Sequence, residues 1–127
     1  MVCGKIVMIL IGTDIEQISR LERAMARTPG FVKRVFTRAE RAYCRRRGRP
    51  AQHYAARFCA KEAVAKALGM AVHWDEVEVI RSAQGVPQVR VIGITAKKLG
   101  CRVIRLSLAH AGDYATATAL IEPEKSD

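Results

Sequence analysis

The segment from about Gln52 to Leu68 constrains the fold of this chain most: it reads as one long helix, with Gly69 as its stop. Tyr54, Phe58, Ala65 and Leu68 supply apolar contacts along it, while Phe58, Glu62 and Lys66 step by four and share one side. The elements around it are shorter. Lys5 to Ile11 reads as a buried strand that ends at Gly12, with Asp14 in a short connection after it. From about Ile18 to Arg27 the period is helical, with Ile18, Leu21 and Met25 on one face and Arg20, Arg23 and Arg27 on the opposite one. Thr28-Pro29-Gly30 ends that helix. Thr37-Arg38-Ala39-Glu40 carries the capping-box pattern and opens another.

The second half reads mainly as strands. Val77 and Val79 alternate with Glu76 and Glu78, Gln84-Gly85 makes a turn, and Val86 to Val91 returns. A short helix around Thr95 to Leu99 ends at Gly100. Two strands, about Arg102 to Ala109 and Tyr114 to Ile121, close the chain, with Gly112-Asp113 between them. Helices and mostly antiparallel strands in blocks predict an α+β fold, a mostly antiparallel sheet packed against the long central helix. A length of 127 residues suits a single domain over 1–127, with a core at about 6–122 and a frayed tail at 123–127.

Charge narrows the partners. Residues 1–50 hold 12 Lys and Arg against 4 Asp and Glu, a balance of +8, whereas residues 51–127 hold 10 against 8. The basic half should face something anionic: nucleic acid, an acidic protein or a polyphosphate ligand. The longest apolar run, Ile6 to Ile11, is far short of the roughly 18 residues of a membrane span. It also lacks the features of a signal peptide, so the expected location is the cytoplasm and no membrane partner is expected. Cys3, Cys44, Cys59 and Cys101 form no CxxC pair, and His53, His73 and His110 are scattered. That spacing argues against a zinc site and for free thiols in a reduced compartment.

Three segments carry the residues with chemistry: Gly12 to Glu16, Arg57 to Lys66, and Leu106 to Tyr114. An acid just past a buried strand and a second acid on a helix, Asp14 and Glu62, can hold a magnesium ion, which takes few carboxylate oxygens and fills its other positions with water and phosphate. Lys61 or Lys66 can neutralise a pyrophosphate beside them, and His110 near a tight turn can contact a phosphate or a reacting group. Each residue also has a plainer reading. Asp14 can cap the following helix, Glu62 and Lys66 can be a solvated pair, His110 can be a turn or core residue, and basic helix faces are commonly just solvated.

The combination is more specific. Gly-x-Asp-Ile-x-x-Ile near the start, Phe36-Thr37-Arg38-Ala39-Glu40, Arg57-Phe58-x-x-Lys61-Glu62-Ala63-x-x-Lys66, Gly85-x-Pro87 and Leu106-Ser107-x-x-His110 occur in order from about Ile9 to Glu122. In this the chain resembles the small holo-acyl-carrier-protein synthases, of the 4′-phosphopantetheinyl transferase fold. The resemblance implies a magnesium-dependent transfer of 4′-phosphopantetheine from coenzyme A to a serine of apo acyl carrier protein, in support of fatty acid biosynthesis. It implies Asp14 and Glu62 as metal ligands, Glu62 as the group that takes the serine proton directly or through water, and Lys66 as the residue that steadies the phosphates. Arg57, Lys61 and His110 match positions associated with coenzyme A. Arg20 and Arg27 match arginines that dock the carrier protein, and Arg23 joins them by spacing. The family works as a homotrimer with active sites between subunits. The chain departs from the family pattern at Ala109, where Ser or Thr is usual, at Gln84, where Asn is usual, and in about five extra residues at its start.

Two alternatives follow from other features. The arginines at 45–49 suit a small basic RNA-binding protein, although aromatic residues make up only 6% and no RNP-like or GXXG loop occurs. The larger phosphopantetheinyl transferases of secondary metabolism fuse two such domains, and this chain has length for one.

Overall fold

The computed structural model describes residues 8–124 and has an α+β fold. Strand β1 spans Leu10–Gln17 and leads directly into helix α1, Ile18–Arg27; the short helices α2, Phe31–Val35, and α3, Arg38–Arg45, follow. The long helix α4 runs Pro50–Leu68 and ends on Gly69, whose positive φ of 72° suits a residue without a side chain. Its first residue is a proline, where no backbone donor is missed. After a 3-10 turn at Trp74–Glu76 come the hairpin β2, Val77–Arg81, and β3, Pro87–Val91. Helix α5, Gly93–Leu99, and the hairpin β4, Val103–Ala111, with β5, Tyr114–Glu122, complete it. One antiparallel sheet has the order β1-β5-β4, and β2 and β3 form a second, two-stranded sheet.

The first strand differs from expectation, and the difference positions the site. Lys5–Val7 lie outside the described residues, and the strand runs through Gly12 and Asp14 instead of ending before them. Alternation then points Ile11, Thr13 and Ile15 outward and Gly12, Asp14 and Glu16 toward α4. Gly12 is a packing residue, not a stop. A methyl group there would sit 2.1 Å from the Ala63 carbonyl oxygen and 2.6 Å from the Ala67 nitrogen. The rest of the contact is made of equally small groups: Ala60, Ala63 and Ala67 on the helix, and Ala115, Ala117 and Ala119 on β5, all buried. Small side chains on both surfaces bring the helix close to the sheet, so the polar groups of β1 and α4 meet.

Two caps tie the elements together. Thr37 and Glu40 form the expected capping box at the start of α3. Asp14 does not cap α1. That cap comes from the β4–β5 turn, where Asp113 Oδ1 accepts from Ser19 N at 3.0 Å and Asp113 Oδ2 accepts from the Ser19 hydroxyl. These bonds, with a smaller contribution from the nearby Arg49 guanidinium, hold the Asp113 carboxyl below its usual range. Cys44 and Cys59 are buried free thiols, and burial pushes Cys44 up to about 11. Cys101 is disulfide-bonded, which corrects the expectation of free thiols at that position, and Cys3 lies outside the described residues.

Candidate active site

The close approach of β1 and α4 brings Asp14, Glu16, Glu62 and Lys66 together. Lys66 Nζ donates to the Thr13 carbonyl oxygen at 3.0 Å and to Asp14 Oδ1 at 3.1 Å. The Asp14 side chain is only 10% exposed, and its second oxygen, Oδ2, is buried with no hydrogen-bond partner among the described residues. Burial raises the Glu62 carboxyl, the neighbouring Asp14 raises it further, and Lys66 opposes both. Burial, then the adjacent Asp14 carboxylate, push Glu16 up to about 7. A single lysine thus faces an excess of negative charge.

Glu16 falls in the Gly12 to Glu16 segment, but the sequence reading gives it no role of its own. Its signal was there: two positions after Asp14 in a strand is the same face.

The residues fit a divalent cation. The orphaned Asp14 Oδ2 and the mutual repulsion of the carboxylates are what a hard cation would relieve. Among the described residues no group of three or more His, Cys, Asp and Glu side chains converges to hold a metal alone. Magnesium does not require one, since it keeps several waters and binds substrate phosphate.

The residues matched to coenzyme A separate into two places. His110 is exposed at the end of β4, 3.1 Å from Gln52 across Nε2 atoms, and borders a cleft of about 210 Å³ that Ala109 also lines. Arg57 is 1% exposed and stacks on Tyr43, next to residues of that cleft. Lys61 is elsewhere, and its assignment to coenzyme A is corrected. It is fully buried, pairs with Glu40 at 2.8 Å, and donates to the carbonyls of Trp74 at 2.8 Å and Val77 at 2.5 Å. All three ammonium protons are taken, so none is left for a ligand. Burial lowers the Lys61 ammonium, with Glu40 opposing.

Arg20, Arg23 and Arg27 are exposed along α1, while Ile18 and Leu21 are buried beneath. None of the three forms an ion pair among the described residues. Arg20 is near enough to Glu16 to favour its charged form, so the basic face begins beside the acidic cluster.

The chain matches the family model of the 4'-phosphopantetheinyl transferase superfamily over residues 10–119. It is 45% identical to a holo-[acyl-carrier-protein] synthase of Moorella thermoacetica, over 94% of this chain and 98% of that one. Among solved structures it is similar to an ACPS–CoA complex from Chronobacterium ammoniagenes, at a TM-score of 0.84 and 28% identity over 93% and 99% of the two chains. It is also similar to a holo-(acyl-carrier-protein) synthase from Bacillus anthracis in complex with CoA (3',5'-ADP), at a TM-score of 0.77 and 27% identity over 91% and 96%. These matches do not support the RNA-binding alternative.

Proposed function

We propose a function from one premise: the chain belongs to the 4'-phosphopantetheinyl transferase superfamily, among the holo-[acyl-carrier-protein] synthases. It transfers 4′-phosphopantetheine from coenzyme A to a serine of apo acyl carrier protein and releases adenosine 3′,5′-bisphosphate. The observation that carries this reading is the meeting of Asp14 with Glu62 and Lys66 across a glycine contact, with one Asp14 oxygen buried and unpaired.

Asp14 and Glu62 are the residues that would hold magnesium. When bound, the ion neutralises the pyrophosphate and stabilises charge on the leaving group. The serine oxygen forms a bond to the phosphorus that bears the pantetheine, and the bond from that phosphorus to the bridging oxygen breaks. Glu62 takes the serine proton. Lys66 is half exposed, so its ammonium reaches both Asp14 and an incoming phosphate. Arg57 and His110 serve the coenzyme, and Arg20, Arg23 and Arg27 dock the acidic carrier.

The assembly is a homotrimer with sites between subunits. The outer face of the β1-β5-β4 sheet supports this: Ile11, Ile15 and Tyr114 are 66%, 60% and 48% exposed, an apolar surface suited to a second copy. Among the described residues no helix is long and apolar enough to cross a membrane. We place the enzyme in the cytoplasm, where its carrier and coenzyme meet.

The test is the mass of apo acyl carrier protein after incubation with this chain, coenzyme A and magnesium. A gain of one phosphopantetheine is expected, and chelation of the magnesium should abolish it. An unchanged mass with folded enzyme overturns the reading.

A further inference from the structure

Tyr43 stands at the centre of a group of cations. The guanidinium carbons of Arg47 and Arg57 are each 4.0 Å from its ring centroid, and that of Arg81 is at 5.7 Å. His53 meets the same ring edge-on at 5.8 Å. These residues come from α3, the loop after it, α4 and the end of β2, so the fold itself assembles them. Like charges this close repel. No acid offsets them: among the described residues Arg47, Arg57 and Arg81 form no ion pair.

Arg57 sharpens the imbalance. It is 1% exposed, its Nη1 donates to the His53 carbonyl at a long 3.4 Å, and its Nε is buried with no hydrogen-bond partner among the described residues. A buried guanidinium with an unmet donor and no counter-ion is costly to keep. Next to it lies the cleft of about 210 Å³, which Arg81 and His53 line together with Gln52 and His110. Burial lowers the His53 imidazole, and Arg57, Arg47 and Arg81 lower it further, so the ring adds no further charge near pH 7.

We propose that Tyr43 is a positioning residue, whose ring gathers Arg47 and Arg57 beside Arg81 so that the cluster receives a phosphate group of coenzyme A. This rests on the coenzyme reading above and adds Tyr43, Arg47 and Arg81 to it. An aromatic ring suits the role because its face attracts guanidinium groups without cancelling their charge. An acid would hold the same arginines and neutralise them. With the ring in its place the cluster keeps its charge, and the donors not already used inside the protein, Arg57 Nε and those of Arg81 other than the Nη1 bonded to the Gly85 carbonyl at 2.6 Å, suit a phosphate.

The experiment is calorimetric binding of coenzyme A to the full chain, with carrier loading measured on the same samples. Tyr43→Leu should weaken coenzyme A binding about tenfold, and Tyr43→Phe, which keeps the aromatic face, should stay within about twofold of wild type. The Michaelis constant for the carrier should not follow the coenzyme's. Arg81 is exposed, so Arg81→Gln folds irrespective of how Tyr43→Leu behaves, and it should weaken coenzyme binding several-fold. Unchanged coenzyme binding in Arg81→Gln, or equal losses in Tyr43→Phe and Tyr43→Leu, overturns the proposal while wild-type loading leaves the function standing. A wild-type chain that neither binds coenzyme A nor loads a carrier removes the function first and this inference with it.

Discussion

Helix α4 carries two ion-paired lysines, Lys61 and Lys66, in opposite circumstances. Lys61 and Glu40 are both 0% exposed, and every donor and acceptor of the pair has work inside the protein: Glu40 also accepts from Thr37 N at 2.9 Å and Val79 N at 2.8 Å. The Lys66 side chain is 55% exposed, and its partner Asp14 keeps one buried oxygen unpaired. The first pair is closed and joins α4 to α3 and the β2–β3 hairpin. The second is open, with surplus negative charge around it and room on the lysine. Saturation marks structure here, and incompleteness marks a place prepared for a ligand.

The two pairs should differ most in stability. Lys61→Met strands the Glu40 carboxylate in the core, and removing one partner of a buried pair costs about 3–5 kcal/mol. Lys66→Met should shift the urea midpoint less than Lys61→Met does, since the Lys66 end of its pair is half exposed and solvent screens it, although Asp14 is buried. Equal shifts in the two urea transitions would erase the distinction.

A smaller effect is expected at α1, whose open charges form the proposed docking face. Arg20→Glu with Arg27→Glu should raise the Michaelis constant for the carrier at least about tenfold and leave coenzyme A binding within about twofold. Wild type should lose carrier affinity as salt rises, and the double variant should respond less. A carrier Michaelis constant that stays the same across the salt series moves the docking surface elsewhere, with the arginines at 45–49 next in line. The smallest effect concerns Ala109, which lines the cleft beside His110. Ala109→Ser adds one hydroxyl, and a single hydrogen bond to the coenzyme would tighten binding by about 1 kcal/mol. Calorimetry showing no gain means that no ligand atom lies within reach of that position.

Much of this was legible in the sequence where the signal is local. The period of α1, the Thr37–Glu40 capping box, the Gly69 stop and the alternation of β2 need only neighbouring residues, and the structure has each of them. Gly12 was misread because a glycine that ends a strand and one that admits a helix look alike until the helix is placed. Lys61 was misread for a related reason. Helix α4 is buried on most of its circumference, including Arg57 and Lys61, so charge no longer tells the inner face from the outer one. The Asp113 cap on Ser19 and the arginines around Tyr43 join residues far apart in the chain, and no local pattern announces them.

The open pair on α4 and β1 is proposed as the place where transfer occurs. The most direct measurement is the rate at which Asp14→Asn loads apo carrier protein at saturating coenzyme A and magnesium, followed by carrier mass. Asparagine keeps the shape and removes the charge that a hard cation needs. A loss of at least about a hundredfold, or ~2.7 kcal/mol in the barrier, is expected in a protein that remains folded. A rate within about threefold of wild type would contradict it.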